Sequence, residues 1–274
     1  MRRRDLFSWI GAAAIWPVVG RAQTAEPFGV VLLHGKRGVP WNRFTGLDDL
    51  AAALRGAGYK VEIPEMCWSG RRIYDEDFDS CMGDVDAAVE RLKKAGATAI
   101  VVAGLSLGGS GALGYGARRD GLAGIMAFAP TPNTHIFANL PGMPESIARA
   151  KQLVAAGQGD RPAEFTDWTN DRRGPIETGG RYAITITATP RIYLSFADAD
   201  GPADEEVNIA RLKAPLLMVW SDRDPNARTD DALFARAPAN PLNEHMIVSS
   251  DHMGTADVSV HMALAWLKTL KPAH

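Results

Sequence analysis

The chain is poor in cysteine, in basic excess and in long apolar runs, and each shortage closes off a class of protein. With 30 Lys and Arg against 32 Asp and Glu the formal net charge is -2. That balance carries no polybasic signature, which excludes nucleic acid as a partner. The apolar stretch Leu6–Gly20 is broken by Pro17 and falls short of the roughly 20 residues that span a bilayer, which argues against a stable membrane anchor. No internal repeat or low-complexity tract is visible, and no spacing of His, Cys, Asp or Glu suggests a metal site or calls for a cofactor. What remains is an ordinary globular composition, 46% hydrophobic and 23% charged over 274 residues, with enough apolar material for one sizeable core.

The first residues read as an address. Arg2, Arg3 and Arg4 form a positive head, Leu6–Gly20 a moderately apolar middle, and Gly20-Arg21-Ala22 a small-residue end of the kind a signal peptidase cuts. The run Arg3-Arg4-Asp5-Leu6-Phe7 resembles a twin-arginine export signal. The expectation is a signal peptide over 1–22, a mature chain over 23–274 beginning at Gln23, and a periplasmic or secreted location. Export also changes how Cys67 and Cys81, the only two cysteines, are read. An oxidising compartment permits a bridge between them, and closing a loop of about 15 residues stabilises a fold by roughly 3 kcal/mol.

Beyond the signal, short β-branched runs alternate with helical patterns, the mark of βαβ units and a mostly parallel central sheet flanked by helices. Strands are expected at Phe28–Leu33, Tyr59–Ile63, Thr98–Ala103, Leu122–Ala129, Leu216–Trp220 and Met246–Ser249. Helices are expected at Gly46–Ala57, Asp84–Lys94, from the glycines after Ser106 to Arg118, and at Ala256–Leu270. Between about 131 and 213 the rhythm breaks. This stretch holds one clear helix, Pro144–Ala156, then a polar, Gly- and Pro-punctuated region to Gly180 and a β-prone patch at Tyr182–Phe196. A structureless loop of that length is improbable in a compact domain, so the segment reads as an inserted cap or lid.

The sharpest local signal is Gly104-Leu105-Ser106-Leu107-Gly108, placed between a strand and a helix. A serine on so tight a turn needs small neighbours on both sides, and the turn exposes its hydroxyl. That hydroxyl is a poor nucleophile without a base. Of the six histidines, His252 sits in a loop between the last strand and the last helix, where an imidazole can reach the serine. His34 follows the first strand, where its backbone is of more use than its ring. An imidazolium needs a carboxylate beside it, and Asp222 and Asp224 both follow the strand Leu216–Trp220. Asp224 is the better placed, separated from that strand by three residues, while Asp222 is suited to capping the turn or pairing with Arg223. Developing negative charge needs backbone donors: the N–H of Leu107, directly after the serine, and that of Lys36 in His34-Gly35-Lys36 are the candidates. Trp68, Arg72 and Tyr74 lie past a strand end on the same edge and are candidate pocket residues, as are the aromatics Trp168, Tyr182, Tyr193 and Phe196 of the inserted segment.

The order Ser106, Asp224, His252, together with the His34-Gly35 turn and the Gly-x-Ser-x-Gly elbow, resembles the α/β-hydrolase superfamily from about Phe28 to Leu270, in particular its small esterase and dienelactone-hydrolase-like members. The resemblance implies the α/β-hydrolase fold and two-step acyl transfer through a covalent acyl-enzyme, without metal or organic cofactor, on a small-molecule acyl substrate. A carboxylic ester is the default. A peptidase or amidase would use the same triad, with Arg72 as a weak hint of an anchor for a peptide terminus. A catalytically silent hydrolase-like binding protein is the reading from a different class.

Overall fold

The computed structural model describes residues 28–38, 46–131, 133–169, 177–178, 181–224 and 230–270. The expected signal peptide, 1–22, lies outside the described residues, as do parts of the inserted segment.

Six strands form one sheet: β1 (Phe28–Leu33), β2 (Lys60–Glu62), β3 (Ala99–Leu105), β4 (Gly124–Phe128), β8 (Leu216–Ser221) and β9 (Glu244–Val248). They run in the order β2-β1-β3-β4-β8-β9 and every pair is parallel. Continuous apolar sequence explains β1, β3, β4 and β8, because strands covered by helices on both faces have no polar side, and each of their residues is buried. The connecting helices include α1 (Asp48–Gly56), α2 (Met82–Lys94) and α3 (Leu107–Arg118), followed near the carboxyl end by α8 (Asp230–Phe234), α9 (Thr255–Val258) and α10 (Val260–Leu267). The expected terminal helix over Ala256–Leu270 is therefore two helices that meet at Ser259, whose Oγ bonds the Thr255 carbonyl instead of facing solvent.

Parallel pairing brings all the strand carboxyl ends to one edge, where sites of open α/β sheets form. Leu33 pairs with Gly104 and Leu105 with Phe128, so the loops after β1, β3 and β4 are neighbours. Ser221 pairs with Val248, which brings the loops after β8 and β9 together.

The segment between β4 and β8 folds as α4 (Thr134–Phe137), α5 (Met143–Ala155), β5 (Ala163–Thr169), β6 (Glu177–Thr178), β7 (Arg181–Ala188), α6 (Pro190–Ala197) and α7 (Glu205–Ile209). Its three strands make a separate antiparallel sheet in the order β5-β7-β6. Two sequence expectations need correction here. The polar stretch before Gly180 contains β5, and only the first half of the β-prone patch is a strand. The second half is α6, because the Thr189 side chain accepts from Ile192 N–H and Pro190 takes the first helical position. Cap geometry outweighs the β-prone side chains that follow.

The loop Pro64–Cys81 ties the two layers. Cys67 and Cys81 are bridged, with their Cα atoms 5.7 Å apart. Phe196 of α6 sits among that loop's aromatics, with ring centroids 4.5 Å from Tyr74, 5.6 Å from Phe78 and 6.4 Å from Trp68. The Phe78 N–H donates to Ser195 Oγ at 3.0 Å. Among the described residues no helix is long and apolar enough to cross a membrane.

Candidate active site

Ser106 stands between β3 and α3 with φ 58° and ψ -127°, a conformation that costs a non-glycine residue about 1–3 kcal/mol and persists only where the surroundings impose it. Here the surroundings are two glycines. A Cβ on Gly104 would lie 2.1 Å from the Gly108 carbonyl oxygen, and one on Gly108 would lie 2.0 Å from that of Leu33. The backbone of the turn is pinned by Ser106 N–H donating to Phe128 O at 3.0 Å and Thr131 N–H donating to Ser106 O at 3.2 Å. The Ser106 hydroxyl lies 3.3 Å from Thr131 Oγ1, whose own proton goes to Ala129 O. Thr131 was not singled out from sequence; a hydroxyl residue just past β4, the strand beside the elbow, is the signal that marks it.

His252 and Asp224 are buried, and His252 Nδ1 lies 2.5 Å from Asp224 Oδ2. They meet because β8 and β9 are neighbours and each residue lies a short way past its strand. Asp222, the other carboxylate considered, caps the turn instead: its Oδ1 accepts from Ser250 N–H at 3.2 Å. Ser221 supports the His252 loop by donating to the Asp251 carbonyl at 2.9 Å. With Nδ1 turned to Asp224, His252 Nε2 is buried and has no hydrogen-bond partner among the described residues. A buried nitrogen in that condition is costly unless a partner arrives.

The loop after β1 runs beside the elbow, and a Cβ on Gly35 would be 3.2 Å from that of Ser106. Its shape depends on the His34 ring as well as on the backbone. Nδ1 lies 2.8 Å from Gly35 O, and Nε2 accepts from Met66 N–H at 3.1 Å. One donor and one acceptor require a neutral imidazole, and burial holds its pKa below the ordinary histidine value. Trp68 Nε1–H donates to His34 O at 2.8 Å, and Arg37 N–H donates to Trp68 O at 2.8 Å. Among the described residues neither the Lys36 nor the Leu107 backbone N–H has a protein acceptor.

A small cavity of about 20 Å³, room for about one water molecule, adjoins this edge, lined by Lys36, Tyr74, Leu107, Phe137, Met143, Asp167, Tyr193, Phe196 and Ala197. Of the loop residues expected there, only Tyr74 lines it. Trp68 is buried beneath the β1 loop as its brace. Arg72 is occupied by Asp75, Glu76 and Asp84 and by the Glu65 carbonyl, so its guanidinium is spent on the loop's own fold. Tyr193 and Phe196 of the inserted segment line the cavity. Trp168 and Tyr182 do not; the Trp168 indole donates to Pro141 O. The cavity's charged groups satisfy one another: Lys36 Nζ donates to both Asp167 oxygens, and the Tyr74 hydroxyl donates to Oδ2 at 3.2 Å. Burial, and then the Asp167 charge, push the Tyr74 phenol well above its ordinary pKa, so it stays a donor.

The parallel sheet with a strained serine elbow on an inner strand defines the α/β-hydrolase class of fold. The sequence agrees: it matches the Alpha/beta hydrolase family over residues 30–261, and the chain belongs to that family. No curated protein sequence matches it significantly. Similar solved structures include Est1E from Butyrivibrio proteoclasticus with ferulic acid bound, at 17% identity and TM-score 0.59 over 88% of this chain and 90% of that one. A monoacylglycerol lipase from Paleococcus ferrophilus is 20% identical with TM-score 0.58, covering 88% and 94%. One of the metagenome-derived lipolytic enzymes LipS and LipT is 19% identical with TM-score 0.57, covering 89% and 94%. At these identities the likeness speaks for the fold.

Proposed function

We propose that this protein is a serine hydrolase that cleaves carboxylic esters through Ser106, His252 and Asp224. The observation that carries the reading is the His252–Asp224 contact at 2.5 Å, which leaves a buried, unpartnered Nε2 at the edge that holds the strained Ser106. Asp224 holds the imidazole with Nδ1 protonated, so Nε2 is the free base. As substrate enters, the Ser106 hydroxyl leaves Thr131 and gives its proton to Nε2 while Oγ attacks the ester carbonyl. Such general-base help contributes about 10² to 10⁴ in rate. The oxyanion is received by the N–H groups of Lys36 and Leu107, each such donor being worth about 10² to 10³. His252 then protonates the leaving alcohol, and a water repeats the sequence in reverse to free the acid and Ser106.

Because the cavity's polar groups are mutually satisfied, it offers an acyl group mainly apolar wall: Tyr74, Phe137, Met143, Tyr193 and Phe196. A small-molecule ester with an apolar acyl part of small or medium size suits the chemistry of that wall, whose side chains must part to admit it. The solved neighbours bound to ferulic acid or described as a monoacylglycerol lipase are in keeping with it. The peptide-anchoring role of Arg72, the hint toward a peptidase, finds no support in a guanidinium engaged by three carboxylates. The segment between β4 and β8 acts as the cap. The amino-terminal sequence supports export to the periplasm or beyond, and exported protein then begins at Gln23; an intact Met1 in a periplasmic fraction would overturn that part.

Labelling with a fluorophosphonate tests the catalytic reading. Wild-type protein is expected to take up the probe, and Ser106→Ala is expected to lose labelling and at least about 10⁴-fold in ester turnover. A folded wild-type protein that takes up no probe would favour the binding-protein reading.

A further inference from the structure

Lys36 is in an unusual position: its backbone and its side chain face two different parts of the molecule. The backbone N–H belongs to the loop beside Ser106. The ammonium is held by Asp167 Oδ1 at 2.7 Å, Asp167 Oδ2 at 2.9 Å and the Trp168 carbonyl at 2.9 Å, which are acceptors on β5 of the inserted segment. The side chains of the pair are 12% and 9% exposed. Asp167 is fixed from two further sides, by the N–H of Trp168 at 2.8 Å and by the Tyr74 hydroxyl at 3.2 Å. One buried carboxylate thus gathers the β1 loop, the disulfide-bridged loop and the inserted sheet.

We infer that Asp167 is a positioning residue for the oxyanion hole: by holding the Lys36 side chain it fixes the direction of the Lys36 backbone N–H. The inference rests on the serine-hydrolase reading above. A charge pair this buried has few alternative partners, and breaking it leaves an ammonium without compensation, so the pair locks its neighbours into one arrangement. The lock matters at Lys36 because oxyanion stabilisation depends on donors being aimed before charge develops, and a displacement of about 1 Å can cost about 10² in rate. The next residue, Arg37, has φ 61°, and such a conformation is kept only where the surroundings impose it. The inserted segment thereby takes part in the reaction without touching the reacting atoms.

The test compares wild type, Asp167→Asn, Lys36→Met and the double variant, measuring kcat and KM for an ester and the inhibition constant of a trifluoromethyl ketone. The ketone forms a tetrahedral oxyanion adduct on the serine; its ordinary methyl ketone counterpart serves as a ground-state control. Asp167→Asn is expected to lower kcat about tenfold with KM within about twofold. The trifluoromethyl ketone should weaken in proportion to kcat/KM while the methyl ketone is unaffected. The double variant should be no worse than the poorer single one, since both remove the same contact. An unchanged kcat, a rise in KM alone, or equal weakening of both ketones would overturn the inference, the last two showing a pocket contact only. If Asp167→Asn does not fold, the double variant decides. It removes both charges and so leaves none buried and unpaired, and is expected to lower kcat about tenfold at constant KM; an unchanged kcat overturns the inference. Failure of wild-type protein to turn over ester or form the adduct would instead sink the serine-hydrolase reading.

Discussion

The central sheet and the segment between β4 and β8 are built on different terms. In the sheet, position follows from backbone pairing: parallel strands in register deliver Ser106, Asp224 and His252 to one edge, and two glycines hold the elbow. In the inserted segment, position follows from side chains: a small antiparallel sheet and short capped helices pack their own pairs, such as the stacked Phe165 and Tyr193 rings 4.4 Å apart. They reach the core through Phe196, Ser195 and Asp167. The lesson is a division of labour. Groups that must be placed to within tenths of an ångström stand on strands or just past them, while the pocket wall is carried by elements whose side chains can be exchanged without disturbing the sheet.

Two substitutions sharpen that contrast. The larger effect belongs to the sheet. Gly108→Ala places a methyl 2.0 Å from the Leu33 carbonyl oxygen, where main chain cannot yield without moving β1 and α3 apart. We expect about 3 kcal/mol of lost stability or more, read from the urea midpoint, together with loss of turnover. An unperturbed midpoint would mean the elbow is not the rigid feature described here.

The second lies on the seam. Glu205 of α7 is buried, its Oε1 accepts from Ser110 Oγ of α3, and its Oε2 has no partner among the described residues. Burial, aided by the neighbouring Asp204 and Glu206 charges and opposed by the Ser110 bond, raises its pKa to about 8. The unfolded carboxyl ionises near 4.5. Between those values the folded chain keeps a proton that the unfolded chain releases, so stability falls as pH rises from about 4.5 to 8 and is level outside that window. Glu205→Gln removes the ionisation and should stabilise the protein above pH 8, relative to wild type, by on the order of 5 kcal/mol. Melting temperatures from pH 4 to 9 check this: the wild-type decline should flatten in the variant, and parallel curves would show that Glu205 is not the titrating group.

What was legible in the sequence follows the same division. Strands β1, β3, β4 and β8 announce themselves as unbroken apolar runs, and the serine elbow as glycines at fixed offsets, because both are local properties of the chain. Asp224 and His252 were legible as residues just past predicted strands, but their contact depends on β8 and β9 being neighbours. Strand β5 is not legible because AEFTDWT mixes charged and hydroxyl residues with Phe165 and Trp168, and the burial of Asp167 depends on Lys36 and Tyr74, which lie far away in the chain. Helix α6 looks like a strand in sequence because Ile192, Tyr193 and Phe196 suit strands equally, while its cap lies in Thr189-Pro190. Asp167 was not legible at all: it lies 131 residues from Lys36, and no local pattern records so distant a partner. The His34 ring was undervalued for the same reason, since its acceptor role needs Met66.

The central claim, that Ser106 is an activated nucleophile, is tested most directly by trapping the acyl-enzyme. Mature protein is mixed with an activated ester, quenched in acid within the first turnover and weighed intact, and the adduct is then located by peptide mapping. The account predicts one acyl group per chain, on the peptide containing Ser106, absent in Ser106→Ala and formed slowly in His252→Ala. Turnover of the ester with no adduct on Ser106, or turnover that survives in Ser106→Ala, would contradict it.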